Sequence, residues 1–153
     1  MDVPFRIRPA TRLDLPALVQ LERDCFSDPW SPQGLAEVVA DRLCVTLVVE
    51  EDSEVSGYAM ARVVAGQAEI LTLGVSPGRR RQGIARLMLE RLLSALAGRG
   101  AEDVWLEVRA SNLAAQALYQ AYGFLPGGMR RAYYRRPTED ALVFRLALGP
   151  PPA

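Results

Sequence analysis

Residues 79–86 read Arg79-Arg80-Arg81-Gln82-Gly83-Ile84-Ala85-Arg86, and this stretch opens the clearest helix in the chain. Ile84, Met88, Leu92 and Leu96 recur on one face and Leu87, Leu89 and Leu93 widen it, while Arg86, Glu90 and Ser94 lie opposite. Gly98-Arg99-Gly100 supplies the stop. A helix start carries unpaired backbone N–H groups and the positive end of the helix dipole, so arginines there are unfavourable unless an anion offsets them. Four arginines crowd this start. One reading is a solvated basic cap. The other is a phosphate seat, in which Gly83 and Ala85 are small enough for a pyrophosphate to reach the backbone. The second reading accounts for the arginines. The lysine and Ser/Thr of a P-loop are missing, as are the three spaced glycines of the dinucleotide fingerprint.

Working outward, Phe5 to Arg8 alternates like a strand, and Thr11 stands as N-cap before Asp14, Leu15, Leu18, Leu21 and Glu22 at helical spacing. Phe26-Ser27-Asp28-Pro29-Trp30-Ser31 reads as a turn before a short helix to about Asp41. Leu43 to Glu50 and Val55 to Val64 read as strands joined by the polar turn Glu51-Asp52-Ser53-Glu54; Glu69 to Val75 is a further strand, closed by Ser76-Pro77-Gly78. Downstream of the helix, Val104, Leu106 and Val108 alternate with Asp103, Trp105, Glu107 and Arg109. Ser111 or Asn112 caps a second helix that stops at Gly123, and two strands follow, at about Phe124 to Arg135 and Ala141 to Leu148. The order is strand, two helices, three strands, helix, strand, helix, two strands. It implies a mixed α/β fold, with a central mixed sheet of about six to seven strands and about four helices on its faces.

The chain of 153 residues is 50% hydrophobic and 24% charged, enough for one domain with a core, expected over residues 1–148 with a short proline-rich tail at 149–153. All 18 basic residues are arginine, and 18 acidic residues balance them, so the overall charge points neither to nucleic acid nor to an anionic membrane. There is no histidine, which removes Ser-His-Asp and Cys-His chemistry and histidine-ligated metals. Cys25 and Cys44 cannot supply a metal site alone and read as reduced, buried thiols. Neither a signal peptide nor a membrane-length apolar run is present, so a soluble cytoplasmic protein without a metal is expected.

Arg80, Gly83 and Ala85 resemble the Arg/Gln-x-x-Gly-x-Gly/Ala motif of the GCN5-related N-acetyltransferases (GNAT). Asn112-x-x-Ala115-x-x-Leu118-Tyr119-x-x-x-Gly123-Phe124 is similar to the second acetyl-CoA motif of that superfamily. The string Trp105-Leu106-Glu107-Val108-Arg109-Ala110-Ser111-Asn112 closely resembles the ribosomal-protein-alanine N-acetyltransferases (RimI type). Phe26-x-x-Pro29-Trp30-Ser31, Arg131-x-Tyr133-Tyr134 and Glu139-Asp140-Ala141 match the same family, so the resemblance covers nearly the whole chain.

The resemblance implies the GNAT fold, with a splay between the fourth and fifth strands, and acetyl-CoA as cofactor. It implies N-alpha-acetylation of a protein N-terminus, the alanine of a small-subunit ribosomal protein, by direct transfer in a ternary complex. By position, Leu73, Gly74 and Val75 would hydrogen-bond the pantetheine arm. Arg80, Arg81, Gln82, Gly83, Ile84, Ala85 and Arg86 would hold the pyrophosphate, and Asn112 would contact the cofactor arm. Glu107 would be the base and Tyr119 the acid. Ala85 departs from the glycine of many relatives, a difference of one methyl group. Glu69 stands where histone-type members carry their base; it ranks second to Glu107 and is assigned to the acceptor side. Tyr133 and Tyr134 would line the acceptor groove, and strand alternation lets only one of them face it.

Each residue also has a plainer reading. Glu107 lies opposite Val104, Leu106 and Val108 and serves equally as a solvated strand charge without the motif. Tyr119 suits core packing, Tyr122 is expected in the core, and Asn112 is a good N-cap. The competing functions are a small-amine acetyltransferase acting on a polyamine, amino acid or antibiotic, and a non-catalytic acyl-CoA-binding module. No cysteine sits at a motif position that would suggest a covalent intermediate, and a monomer or weak dimer is expected.

Overall fold

Asp52 and Ser53 both adopt left-handed backbone, φ 49° and 67°, and this two-residue turn folds β2 (Cys44–Glu51) back on β3 (Glu54–Val64). The computed structural model describes residues 5–80 and 82–150. Around this hairpin the sheet runs β1-β2-β3-β4-β5-β7-β6, with β1 at Arg6–Pro9, β4 at Gln67–Val75, β5 at Asp103–Arg109, β6 at Leu125–Tyr134 and β7 at Glu139–Ala147. Every neighbouring pair is antiparallel except β4 with β5. This is the mixed α/β architecture that the element order implies.

Helices α1 (Leu15–Cys25) and α2 (Pro32–Ala40) cover one face, where Leu18, Leu21, Leu35 and Val38 pack on Val48, Tyr58 and Met60. Helices α3 (Ile84–Gly98) and α4 (Leu113–Ala121) accompany the larger core on the other face, built around Ile84, Met88, Leu92, Leu96 and Tyr119. No helix among the described residues is long and apolar enough to cross a membrane.

Three local expectations are corrected. Thr11 caps a short 3-10 turn, Arg12–Asp14, because its hydroxyl accepts from the Leu13 N–H and the Asp14 carboxylate accepts from the Thr11 N–H; α1 begins only after it. Tyr122 is half-buried, and its hydroxyl reaches out to donate to Glu90 at 2.6 Å; Phe124, 1% exposed, fills the core instead. Cys44 is buried, but Cys25 is only half-buried.

The site depends on one irregularity. Along β3, Ala61 pairs with Ile70 but Met60 pairs with Thr72, so Leu71 is an extra, bulged residue. The β4–β5 ladder stops at the same place, with Ile70 opposite Leu106. A bulge bends and twists its strand. Beyond it, Thr72–Val75 pair with β3 alone and Glu107–Arg109 with β7 alone, and the sheet opens into a V.

Candidate active site

One arm of the V is a cavity of about 690 Å³ between the open part of β4 and the starts of α3 and α4. Its wall includes Leu73, Gly74, Val75, Arg80, Gly83, Ile84, Ala85, Arg86 and Asn112. Gly83 is the N-cap of α3 at φ 78°, a conformation that favours glycine, and no side chain caps the helix. A Cβ at Gly83 would meet no atom within 4 Å, so the backbone there faces open space. Ile84 is buried, leaving only its backbone for a ligand.

The arginine cluster is smaller than its sequence suggests. Arg79 is paired with Glu51 at 3.1 Å, and Arg80 Nε donates to the Val75 carbonyl at 3.2 Å. Arg80, Gln82 and Arg86 are exposed, Gln82 standing off the cavity wall, and Arg81 lies outside the described residues. The Val75 carbonyl also accepts from the Cys25 thiol, at 3.3 Å. Gly74 has a packing reason for lacking a side chain: a Cβ would come within 2.9 Å of the Tyr58 ring. Asn112 does two things, accepting from the Ala115 N–H at 3.1 Å as N-cap of α4 and lining the cavity.

At the apex of the V, Glu107 stands between two further cavities, one inside the V and one over the paired part of β4 and β5. One, about 140 Å³, holds Glu22, Trp30, Asn112, Tyr119 and Tyr134; the other, about 320 Å³, holds Glu69, Arg62, Trp105 and Arg130. Glu107 Oε1 is held by Arg130 Nε at 2.8 Å. Tyr119 is buried, its ring edge-on to Phe124 at 5.5 Å, and burial pushes its hydroxyl well above the ordinary tyrosine range. Partial burial and then the Glu107 charge raise the Glu69 carboxyl above its ordinary value.

Of the two tyrosines of β6, Tyr134 lines the cavity of about 140 Å³ beside Glu107, while Tyr133 is 48% exposed and lines neither that cavity nor the one of about 320 Å³. Pairing with β7 is irregular between Arg130 and Tyr134, and Ala132 takes φ 50°, so the period-two alternation is broken. The two rings meet edge-on at 5.1 Å. The Glu107 carboxylate pushes Tyr133 up to about 12, and burial followed by the Glu107 charge pushes Tyr134 up to about 12. Arg109 holds Tyr134 from below, 4.5 Å from the ring centroid, and is itself fixed by Glu139, Ser27 and the carbonyls of Arg135 and Pro137.

Two residues at the site were not singled out from sequence. Arg130 is one, since nothing in the string marks which arginine of the pair Arg130-Arg131 reaches Glu107. The other is Glu22, 1% exposed. Its Oε1 accepts from the Trp30 N–H at 3.1 Å, and its Oε2 accepts from the hydroxyls of Tyr58 and of Thr72, the latter at 3.1 Å. Glu22 therefore ties the loop after α1 to the bulged strand. The available signal was its place on the apolar stripe Leu18-Leu21-Glu22-Cys25, where a solvated acid does not belong.

The model of the acetyltransferase (GNAT) family matches residues 15–124. The chain is 37% identical over 140 residues to the [ribosomal protein bS18]-alanine N-acetyltransferase of Escherichia coli (strain K12), covering 89% of this chain and 93% of that one. It is 35% identical over 154 residues to the N-alpha-acetyltransferase RimI of Mycobacterium tuberculosis, covering 97% and 96%. Among solved structures, the crystal structure of the ribosomal-protein-S18-alanine N-acetyltransferase from Escherichia coli superposes at a TM-score of 0.89, with 33% identity over 95% of this chain and 94% of that one.

Proposed function

The chain belongs to the acetyltransferase (GNAT) family and is an acetyl-CoA-dependent N-acetyltransferase, and from that premise we propose that its acceptor is the α-amine of a protein N-terminus, in the first place the alanine of ribosomal protein bS18. The proposed enzyme is a single domain over residues 1–148 and works in the cytoplasm. The observation that carries the reading is Glu107, a carboxylate that faces both smaller cavities and is fixed by Arg130.

The residues fit the cofactor. A long anionic thioester needs a strand edge for its amides and an anion seat for its pyrophosphate. Leu71–Val75, open on its β5 side, offers the first. The start of α3, open at Gly83 and flanked by Arg80 and Arg86, offers the second. Leu73, Gly74 and the α3 start would hold it, with Asn112 against the arm; the Val75 carbonyl is already taken by Arg80 and Cys25. When bound, acetyl-CoA supplies an activated acetyl group on a thiol leaving group.

The chain's own groups then manage two protons. Glu107 accepts one from the attacking ammonium, directly or through a water, which frees the nitrogen lone pair. Tyr119 gives one to the departing sulfur, and the second proton that the nitrogen sheds as the amide forms restores the hydroxyl. Burial keeps that hydroxyl protonated, as a donor must be. Tyr133 and Tyr134 wall the acceptor at the mouth. An α-amine has an ordinary pKa of about 7.7–8.0 and lysine about 10.4, so at pH 7 neutralising the first costs roughly 1 kcal/mol and the second about 4.6 kcal/mol. One glutamate base suits the first. The test is thiol release with acetyl-CoA and a panel of alanine-first peptides, N-blocked lysine peptides and small amines. Alanine-first peptides should react far faster; comparable rates on the lysine peptides or on a polyamine would overturn the proposal.

A further inference from the structure

Tyr134 reaches the cavity beside Glu107 from the least regular part of the sheet, and the strand ladder alone does not hold it there. Pairing of β6 with β7 lapses between Arg130 and Tyr134, and the turn at residues 135–138 follows at once. Within that turn Arg136 takes φ 56°, a left-handed conformation that a residue with a side chain keeps only when its surroundings impose it.

Arg109 imposes it. Its Nη2 donates to the Arg135 carbonyl at 2.6 Å and its Nη1 to the Pro137 carbonyl at 3.0 Å, so one guanidinium grips the backbone on both sides of Arg136. Nη2 also donates to Ser27 Oγ at 3.3 Å, in the loop after α1, and Nη1 to Glu139 at 3.3 Å. The Arg135 N–H adds a longer link to that loop, donating to Asp28 at 3.4 Å. The same guanidinium lies 4.5 Å from the centre of the Tyr134 ring. Arg109 follows Glu107 by two residues on β5 and so leaves the strand on the same face.

The side chain is only 17% exposed, and its charge faces one carboxylate, that of Glu139. Its other acceptors are two carbonyls and a hydroxyl drawn from two separate segments. Those segments wall the cavity beside Glu107: Phe26, Asp28 and Trp30 come from one, and Tyr134 precedes the other. Only a planar fork reaches acceptors so spread out, since a lysine ammonium gathers its three donors at one point.

We infer that Arg109 is a positioning residue, whose guanidinium fork ties the turn after β6 to the loop after α1 and thereby sets Tyr134 at the acceptor cavity. The inference rests on the reading that a protein N-terminus enters past Tyr134. Arg109 acts through Tyr134 and takes no proton itself.

The experiment compares Arg109→Met, Arg109→Lys, Tyr134→Ala and the Arg109→Met/Tyr134→Ala double variant with wild type. For each, KM and kcat are measured on an alanine-first peptide, acetyl-CoA affinity by calorimetry, and native trypsin cleavage after Arg135 by mass spectrometry. Losing one bond to a charged group corresponds to about tenfold or more, so Arg109→Met should raise the peptide KM and speed that cleavage by about this factor. Acetyl-CoA affinity should stay near wild type, and Arg109→Lys should recover little, because it keeps the charge and loses the fork. In the double variant the KM should be close to that of Tyr134→Ala alone, as expected of two residues acting as one unit. Wild-type KM or unchanged cleavage in Arg109→Met, or effects that multiply in the double variant, would overturn the inference. Should Arg109→Met fail to fold, Arg109→Lys carries the same readouts. If wild type acetylates a small amine but no alanine-first peptide, the acceptor reading fails by itself. Faster cleavage in the Arg109 variants would then still support the tie, and unchanged cleavage would sink it.

Discussion

Replacing Glu22 with alanine should destabilise the protein by about 3–5 kcal/mol. Three donors converge on this carboxylate: the Trp30 N–H and the hydroxyls of Tyr58 and Thr72. A buried donor left without its acceptor costs about 1–3 kcal/mol. Water entering the vacated space recovers part of the sum, which sets the lower end. At roughly 2–4 °C per kcal/mol for a domain of this size, the melting temperature should fall by about 6–20 °C. Tyr58→Phe removes one donor together with its need, and should cost only about 0.5–1.5 kcal/mol. Glu22→Gln keeps the volume and one acceptor oxygen and should fall between the two. Urea unfolding of the three variants against wild type is the assay, and the Gln variant keeps the comparison alive should the Ala variant fail to fold. A loss below about 1 kcal/mol in Glu22→Ala would mean that the network holds nothing together.

Gly83→Val forces a β-branched residue into φ 78° at the start of α3 and crowds the anion seat; calorimetry should show acetyl-CoA affinity down about tenfold or more, and wild-type affinity would remove the helix start from the cofactor site. Hydrogen bonds from Arg8 hold the Asp14 carboxyl below its ordinary value of 3.8, so its stabilisation is complete above that value and is lost as pH falls from there through the folded-state value. Asp14→Asn should therefore be less stable than wild type at pH 7, by about 1.5–3 kcal/mol, with the gap narrowing below pH 4; equal urea midpoints at pH 7 would contradict this. Tyr119→Phe should lower kcat about a hundredfold while leaving the alkaline limb of the pH profile in place up to about pH 10, because the wild-type hydroxyl is still protonated there; an unchanged kcat would exclude Tyr119 as the acid.

The order of helices and strands was legible because periodicity and turn residues act locally. The break at Ser76-Pro77-Gly78, the amphipathic run from Ile84 and the alternation of Val104-Leu106-Val108 each needed no distant partner. The V-shaped opening was a different matter. It arises from an extra residue, Leu71, whose neighbours Ile70 and Thr72 look like any other strand residues, and it entered the reading only through family resemblance. Which of Tyr133 and Tyr134 turns to the cavity was not legible, since alternation fixes faces only where the ladder is regular. Charge was legible in number but not in pairing: the cluster of arginines was plain, yet Arg79 spends its charge on Glu51, which is distant in the chain. Glu22 shows the converse. An acid on a helix is usually solvated, and only the hydroxyls brought to it by β3 and β4 make it a buried acceptor.

The role of Glu107 is tested most directly by the turnover of Glu107→Gln on an alanine-first peptide at saturating acetyl-CoA, measured beside Glu69→Gln. The substitution keeps the shape and removes proton acceptance, and a general base contributes about 10²–10⁴. Turnover should fall about a hundredfold or more, with acetyl-CoA affinity little changed, while Glu69→Gln retains far more activity. An active Glu107→Gln beside a crippled Glu69→Gln would contradict the assignment and move the base to β4.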